Sequence, residues 1–264
     1  MTYQPVVPLS GYAGWAFLAR TETQQRAAFA ESKTVQRDTN YFEENIGKVE
    51  TAADLMADRR LLSVALGAFG LGDDINNKYF IQKVLEDGTL DSDALSNRLT
   101  DKRYHAFSEA FGFGNFDVPN TSLSTFAPEI TQRYLDQEFE VAIGEQDESL
   151  RLALSLDREL GEIAAKDTSD DGRWYTVMGN TPIRTVFETA LGLPSSFGAL
   201  DLDQQLDTFR DKSEQYFETS EVADFADSEK RGELIRLFLL RSDISSANSG
   251  MSPAATALSL LSNY

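Results

Sequence analysis

The segment Asp58-Arg59-Arg60-Leu61-Leu62-Ser63-Val64-Ala65-Leu66-Gly67-Ala68-Phe69-Gly70-Leu71-Gly72 constrains the fold more than any other part of the chain. Leu61, Leu62, Ala65, Leu66 and Phe69 form one apolar stripe at helical spacing, with an acidic start and a glycine stop. A fainter version returns 122 positions later as Asn180-Thr181-Pro182-Ile183-Arg184-Thr185-Val186-Phe187-Glu188-Thr189-Ala190-Leu191-Gly192-Leu193-Pro194. The echo predicts two weakly related helical halves. In such a scaffold most of the conspicuous residues serve packing.

The same helical punctuation continues along the chain. Asn40 with Glu43, and Thr51 with Asp54, have capping-box spacing. Tyr12 to Ser32 reads as two short helical pieces around the polar Thr21-Glu22-Thr23-Gln24-Gln25. Asp73-Asp74 is expected to start a helix carrying Ile75, Tyr79, Phe80, Val84 and Leu85, which Gly88 stops. Asp101 opens a helix with Tyr104, Phe107 and Phe111, ended by Gly112. Pro128 marks the first turn of the longest helical region, with a break expected at Gly144. Further helices are read from Glu148, from Thr181-Pro182, from Leu206 to Phe217 and from Gly232 to Leu240.

No run of alternating β-branched residues lies between turn signals, as a half-buried strand would need. The expected fold is therefore all-α, a multi-helix array without significant sheet. Its expected organisation is a flexible segment over residues 1–11, a first helical half over 12–125 and a second over 126–241. Residues 242–264 then read as a Ser/Asn-rich linker and a short helix opened by Ser252-Pro253. The two halves are expected to pack as one unit.

Composition narrows function further. The chain has 264 residues, with 43 acids against 24 bases and a net charge of −19. Such a surface repels nucleic acid and anionic lipid, because phosphate binding needs clustered Lys and Arg. There is no cysteine and a single histidine, His105. Disulfides, thiolate nucleophiles and Cys- or His-rich metal sites are thereby excluded. No apolar window is long enough to span a membrane, and Val6 to Ala19 lacks a basic lead and is interrupted by Pro8, Gly11 and Gly14. No cleavable signal is expected.

Individual motifs point to structure before chemistry. Asp167-Thr168-Ser169-Asp170-Asp171-Gly172 imitates the front of a calcium loop, but Met178 stands where the bidentate Glu belongs. Asp73-Asp74 suits a helix first turn as well as a cation or acid–base pair. His105 lies at the edge of its helix, with no Ser or acid nearby in sequence that marks a triad. Gly70-Leu71-Gly72 fails the spacing of a dinucleotide loop, since position 75 is Ile. Arg59 and Arg60 read as partners for acids on other helices. The 28 aromatics read as core, with Trp15 and Trp174 each anchoring one half. No catalytic, cofactor-binding or metal-ligating residue is assigned.

Several blocks together resemble an alphaproteobacterial family known only as a domain of unknown function, often encoded in flagellar gene clusters. They are Gly11-Tyr12-Ala13-Gly14-Trp15, Tyr41-Phe42-Glu43-Glu44-Asn45-Ile46 and Asp58 to Leu62 joined to Ala65 through Leu71. Others are Phe80 to Glu86, Asn97 to Tyr104, Phe111 to Gly114, Gly144 to Leu154 and Phe187 to Pro194. The resemblance covers nearly the whole chain and carries no active-site residues. It implies an association with flagellar assembly or function. Together with the lack of catalytic constellations and a cysteine-free, highly charged composition suited to export, it leads to the expectation of a non-enzymatic structural or protein-interaction component of the flagellum, cytoplasmic or flagellum-associated, with another flagellar component as partner. A cytoplasmic assembly factor or export chaperone for a flagellar subunit is the alternative. A carboxylate-only hydrolase acting on cell-wall glycan is a third.

Overall fold

In the computed structural model, residues 3–250 are described, with side chains through residue 246. Helix formation follows the punctuation most closely at the two echoed segments. The first is α4 (Arg59–Gly67), where the Asp58 carboxylate accepts from the Arg60 and Leu61 amides. It ends where Gly70 turns left-handed (φ 65°) and the Leu71 amide reaches back to the Leu66 carbonyl. The second is α11 (Thr181–Leu191), capped by the Asn180 side chain on the Ile183 amide, with Pro182 in its first turn. Gly192 is left-handed there (φ 68°) and the Leu193 amide bonds the Glu188 carbonyl. Both ends satisfy the orphan amides and carbonyls in the same way.

The remaining helices, in chain order, are α1 (Gly11–Ala30), α2 (Lys33–Asn45), α3 (Ala52–Ala57), α5 (Lys78–Asp87), α6 (Leu95–Arg98) and α7 (Arg103–Phe111). After them come α8 (Phe126–Gly144), α9 (Glu148–Ala164), α10 (Asp170–Gly179), α12 (Leu202–Phe217) and α13 (Ser228–Gly250). Short 3-10 turns join several of them, and among the described residues there is no strand. The fold is all-α.

The chain gathers into two units, residues 3–6 with 20–146, and residues 7–19 with 147–250. This division departs from the expected boundary at 125/126. Helix α8 belongs with the first unit because it packs on α2 and α4 there. Tyr134 lies so close to Gly67 that a methyl group on that glycine would sit 2.8 Å from the ring. Phe139 meets Phe29 edge-on, with centroids 5.8 Å apart. The first core also buries Phe42, Leu62, Ala65, Leu66, Ile81, Phe107 and Phe111.

The second unit is built around Trp174, which is fully buried, stacks on Phe209 and meets Phe187 edge-on. Its indole N–H donates to the Ser220 carbonyl at 3.0 Å. Trp15 is only half-buried and falls within residues 7–19 of this same unit, so the two tryptophans do not anchor one half each. In each unit the capped helix lies between two partners. Helix α4 packs on α2 and α8, and α11 packs on α9 and α13.

Several expectations are corrected. Tyr12 to Ser32 is one helix through Ala30, because its polar middle bonds along the helix: Gln25 Nε2 donates to Thr21 Oγ1 at 2.8 Å. From residue 3 the opening segment has no regular secondary structure but is tied down. Gln25 pairs with both the N–H and carbonyl of Val6, and Gln146 donates to the Pro5 carbonyl. Asn40 lies inside α2 and caps nothing, whereas Thr51 and Asp54 form the reciprocal box. Asp73-Asp74 opens a 3-10 turn (Gly72–Asn76), α5 follows it, and Tyr79 faces solvent at 84% exposure. Ser242 to Gly250 continues α13 rather than forming a linker. The short helix expected from Ser252-Pro253 lies outside the described residues.

Candidate functional site

Helix α13 is apolar on more than one face. Leu234, Ile235, Phe238 and Leu239 are buried in the second unit. Leu237, Leu240 and Ile244 stand on the other side at three- and four-residue steps, Leu240 being 44% exposed and Ile244 61%. A surface helix needs only one apolar stripe to hold its place, so among the described residues the second is surplus to packing. Tyr216, at the end of α12, lies along the same surface and is 39% exposed.

Between these elements runs a groove of about 600 Å³. Tyr216, Phe217 and Glu218 form one wall, and α13 residues including Lys230, Leu237 and Leu240 form the other. Glu218 adopts a left-handed backbone (φ 55°), a conformation that costs a residue with a Cβ about 1 kcal/mol or more. The Lys230 ammonium donates to the Phe217 carbonyl at 2.9 Å and so closes the end of α12. Arg241 hydrogen-bonds the Tyr216 hydroxyl and lies over its ring at 4.9 Å, which holds that phenol below the usual range.

The rim is acidic. Glu218, Asp227, Glu229 and Glu233 line it against Lys230 and Arg236. Asp227 accepts from the Glu229 amide at 2.9 Å, capping α13. Among the described residues Glu218, Glu229 and Glu233 form no ion pair. Chemically the groove offers apolar contact flanked by uncommitted carboxylates.

The residues singled out in the sequence lie elsewhere. The Asp74 carboxylate accepts from the Tyr104 hydroxyl at 2.5 Å and from Asn77 at 2.6 Å, which ties α7 to the 3-10 turn. Burial, then the Asp74 carboxylate, pushes the Tyr104 phenol far above its usual range. The His105 Nδ1 lies 4.0 Å from the Glu109 carboxylate, on its own helix. Arg60 binds Asp38 at 3.1 Å and lies over the Tyr41 ring, whose hydroxyl donates to Asp58 at 2.6 Å. That network locks α2 to the start of α4. Among the described residues Arg59 reaches Asn76, at 3.4 Å, and no acid.

In the calcium-like segment, Ser169 caps α10 on the Gly172 amide, and Asp170 and Asp171 both bind Arg210, at 3.0 and 2.6 Å. Asp170 also accepts from the Val222 amide. Among the described residues no group of three or more His, Asp or Glu is placed to hold a metal ion. Among the described residues two carboxyls lie above their usual range. Glu138 is raised by burial and then by Asp38 and Glu145, and Glu221 by burial and then by Asp170. Neither lines the groove.

The groove residues escaped sequence reading, although α13 carried a signal. Leu234 to Leu240 is apolar but for Arg236, too many apolar positions for one buried stripe.

The family described as "Protein of unknown function (DUF1217)" matches residues 68–230, more than half of the chain. The chain belongs to that family. The matched span runs from the end of α4 into the first turn of α13, so it includes α12 and the Glu218 turn. A crystal structure of a protein from Agrobacterium tumefaciens, solved as a structural-genomics target, is similar to this chain at 27% identity and a TM-score of 0.74. The similarity covers 92% of this chain and 99% of that one. No curated protein matches.

Proposed function

We propose that this DUF1217 protein is a non-enzymatic structural or protein-interaction component associated with the bacterial flagellum. The observation that carries the interaction reading is the solvent-facing apolar stripe of α13 beside an acid-rimmed groove. Exposed apolar surface rimmed by polar groups marks protein contact sites. The flagellar assignment rests on the resemblance of blocks such as Asp58 to Leu71 and Phe187 to Pro194. The net charge of −19 argues against nucleic acid and anionic membrane as the partner. No helix among the described residues is long and apolar enough to cross a membrane.

Deleting the gene and scoring swimming and filament number tests the flagellar reading. Reduced motility supports it, and normal swimming with normal filaments contradicts it. The groove also favours the second reading, an assembly factor or export chaperone, because a preformed helical groove suits the helix of a subunit awaiting export. Fractionation separates the two. A structural component co-purifies with hook–basal bodies or appears in the culture supernatant, whereas an assembly factor stays in the cytoplasm.

A further inference from the structure

We infer that the α12–α13 groove takes a cationic amphipathic helix from another protein, an inference that rests on the protein-interaction reading above. Leu237, Leu240 and Ile244 present anchors over about 10 Å of helix, which two to three turns of a partner helix can match. Tyr216 supplies a flat amphipathic wall at one side.

Charge selects the partner's sign. Glu218, Glu229 and Glu233 are exposed and without ion pairs among the described residues. The two cations of the lining are already engaged, Lys230 by the Phe217 carbonyl and Arg236 over the Tyr12 ring at 6.0 Å. A partner helix with Leu-type residues on one face and Lys or Arg beside them would pair with those acids as it buries the stripe.

The alternatives fit less well. A second copy related by a two-fold axis would set this acidic rim against itself. Residues 251–264 of the same chain contain no Lys or Arg and leave the acids unanswered. Phosphate-bearing ligands meet the same repulsion.

A synthetic peptide of about 18 residues, with Leu at helical spacing and Lys on its flanks, serves as the probe. Its twin carries Glu in place of Lys. Fluorescence anisotropy with the full chain is expected to show the Lys peptide binding about tenfold or more tightly than the twin, and weakening with salt. Glu229→Lys with Glu233→Lys lowers that affinity about tenfold and flattens the salt dependence. Leu240→Ser weakens binding at every salt concentration, with the circular dichroism of both variants unchanged.

Four results overturn the inference. One is no binding of the Lys peptide. Another is an equal loss from Asp207→Lys with Asp211→Lys, on exposed acids outside the groove lining. The third is a concentration-dependent doubling of mass that Leu240→Ser abolishes, which gives the groove to a second copy. The last is tighter peptide binding after truncation at Gly250, which gives it to residues 251–264. None of these depends on motility, so failure here and failure of the flagellar reading are distinguishable.

Discussion

Helices α4 and α11 end alike but are packed differently in the middle. Asp58 and Asn180 cap their starts, and Gly70-Leu71 and Gly192-Leu193 close their ends with the same left-handed turn and back-reaching amide. Between the caps, Ala65 of α4 stands where α11 has Phe187, and Gly67 where α11 has Thr189. Helix α4 lets Tyr134 of α8 approach closely, whereas α11 drives Phe187 into Trp174, Phe209 and Phe225. Caps answer to their own backbone and so repeat. Interiors answer to neighbours and so diverge.

The largest expected effect is in the α11 interior. Phe187→Ala should cost about 3–5 kcal/mol in chemical denaturation, because a fully buried ring joined to three other aromatics is lost. A loss below about 1 kcal/mol would show that the aromatic cluster closes over the gap. The matching test in α4 is an addition. Gly67→Ala places a methyl 2.8 Å from the Tyr134 ring and should cost about 1–3 kcal/mol despite its better helix propensity. Gly232→Ala in α13 meets nothing within 4 Å and should be neutral or stabilise by up to about 1 kcal/mol.

The closing turns should respond more alike. Gly70→Ala and Gly192→Ala each force a left-handed alanine, worth about 1–2 kcal/mol. Gly192→Ala should be the worse of the two, since its methyl would lie 2.5 Å from an Arg241 nitrogen while the nearest atom at Gly70 is 3.4 Å away. Equal melting shifts would mean that the Arg241 side chain simply swings aside.

The smallest effect separates the caps by acid. Burial pushes the Asp58 carboxyl up, but the Tyr41 hydroxyl, the Leu61 and Arg60 amides and the Arg60 charge outweigh it and leave it below the usual carboxylate range. Its stabilisation is therefore present above the ordinary carboxylate pKa and is lost as pH falls through the lowered one. Asn180 does not titrate. Asp58→Asn should flatten this part of the acid dependence, by about 1 kcal/mol or less, while Asn180→Asp adds a dependence of the same sign. Parallel stability–pH curves for wild type and Asp58→Asn would refute the assignment.

What the sequence made legible follows the same division. Thr51 with Asp54, Asp58, Gly112 and Gly192 were readable because a cap is decided within a few residues, whereas the start read at Thr181-Pro182 takes its cap one residue earlier, from the Asn180 side chain. Asn40 had the same spacing and failed, because α2 had already begun at Lys33 and used its amide inside the helix. Ser242 to Gly250 read as a linker by composition, yet Ser and Asn are only weakly unfavourable in a helix and no Pro or Gly intervenes before Gly250. The Ser149 and Ser242 hydroxyls bond at 2.8 Å and help fix that extension. Beyond the apolar excess of Leu234 to Leu240, the groove was not legible. It needs Tyr216 and Leu240 brought together by two helices and a left-handed Glu218, a pairing that no local pattern announces.

The motif that resembles a family signature thus serves capping and packing, and the surface proposed for protein contact lies outside it. The most direct measurement is swimming of the deletion strain complemented with Leu240→Glu and Ile244→Glu together, against complementation with Asp58→Asn. Both positions are exposed, so the groove variant is expected to accumulate folded yet fail to restore swimming, while Asp58→Asn restores it. Full restoration by the groove variant would contradict the account.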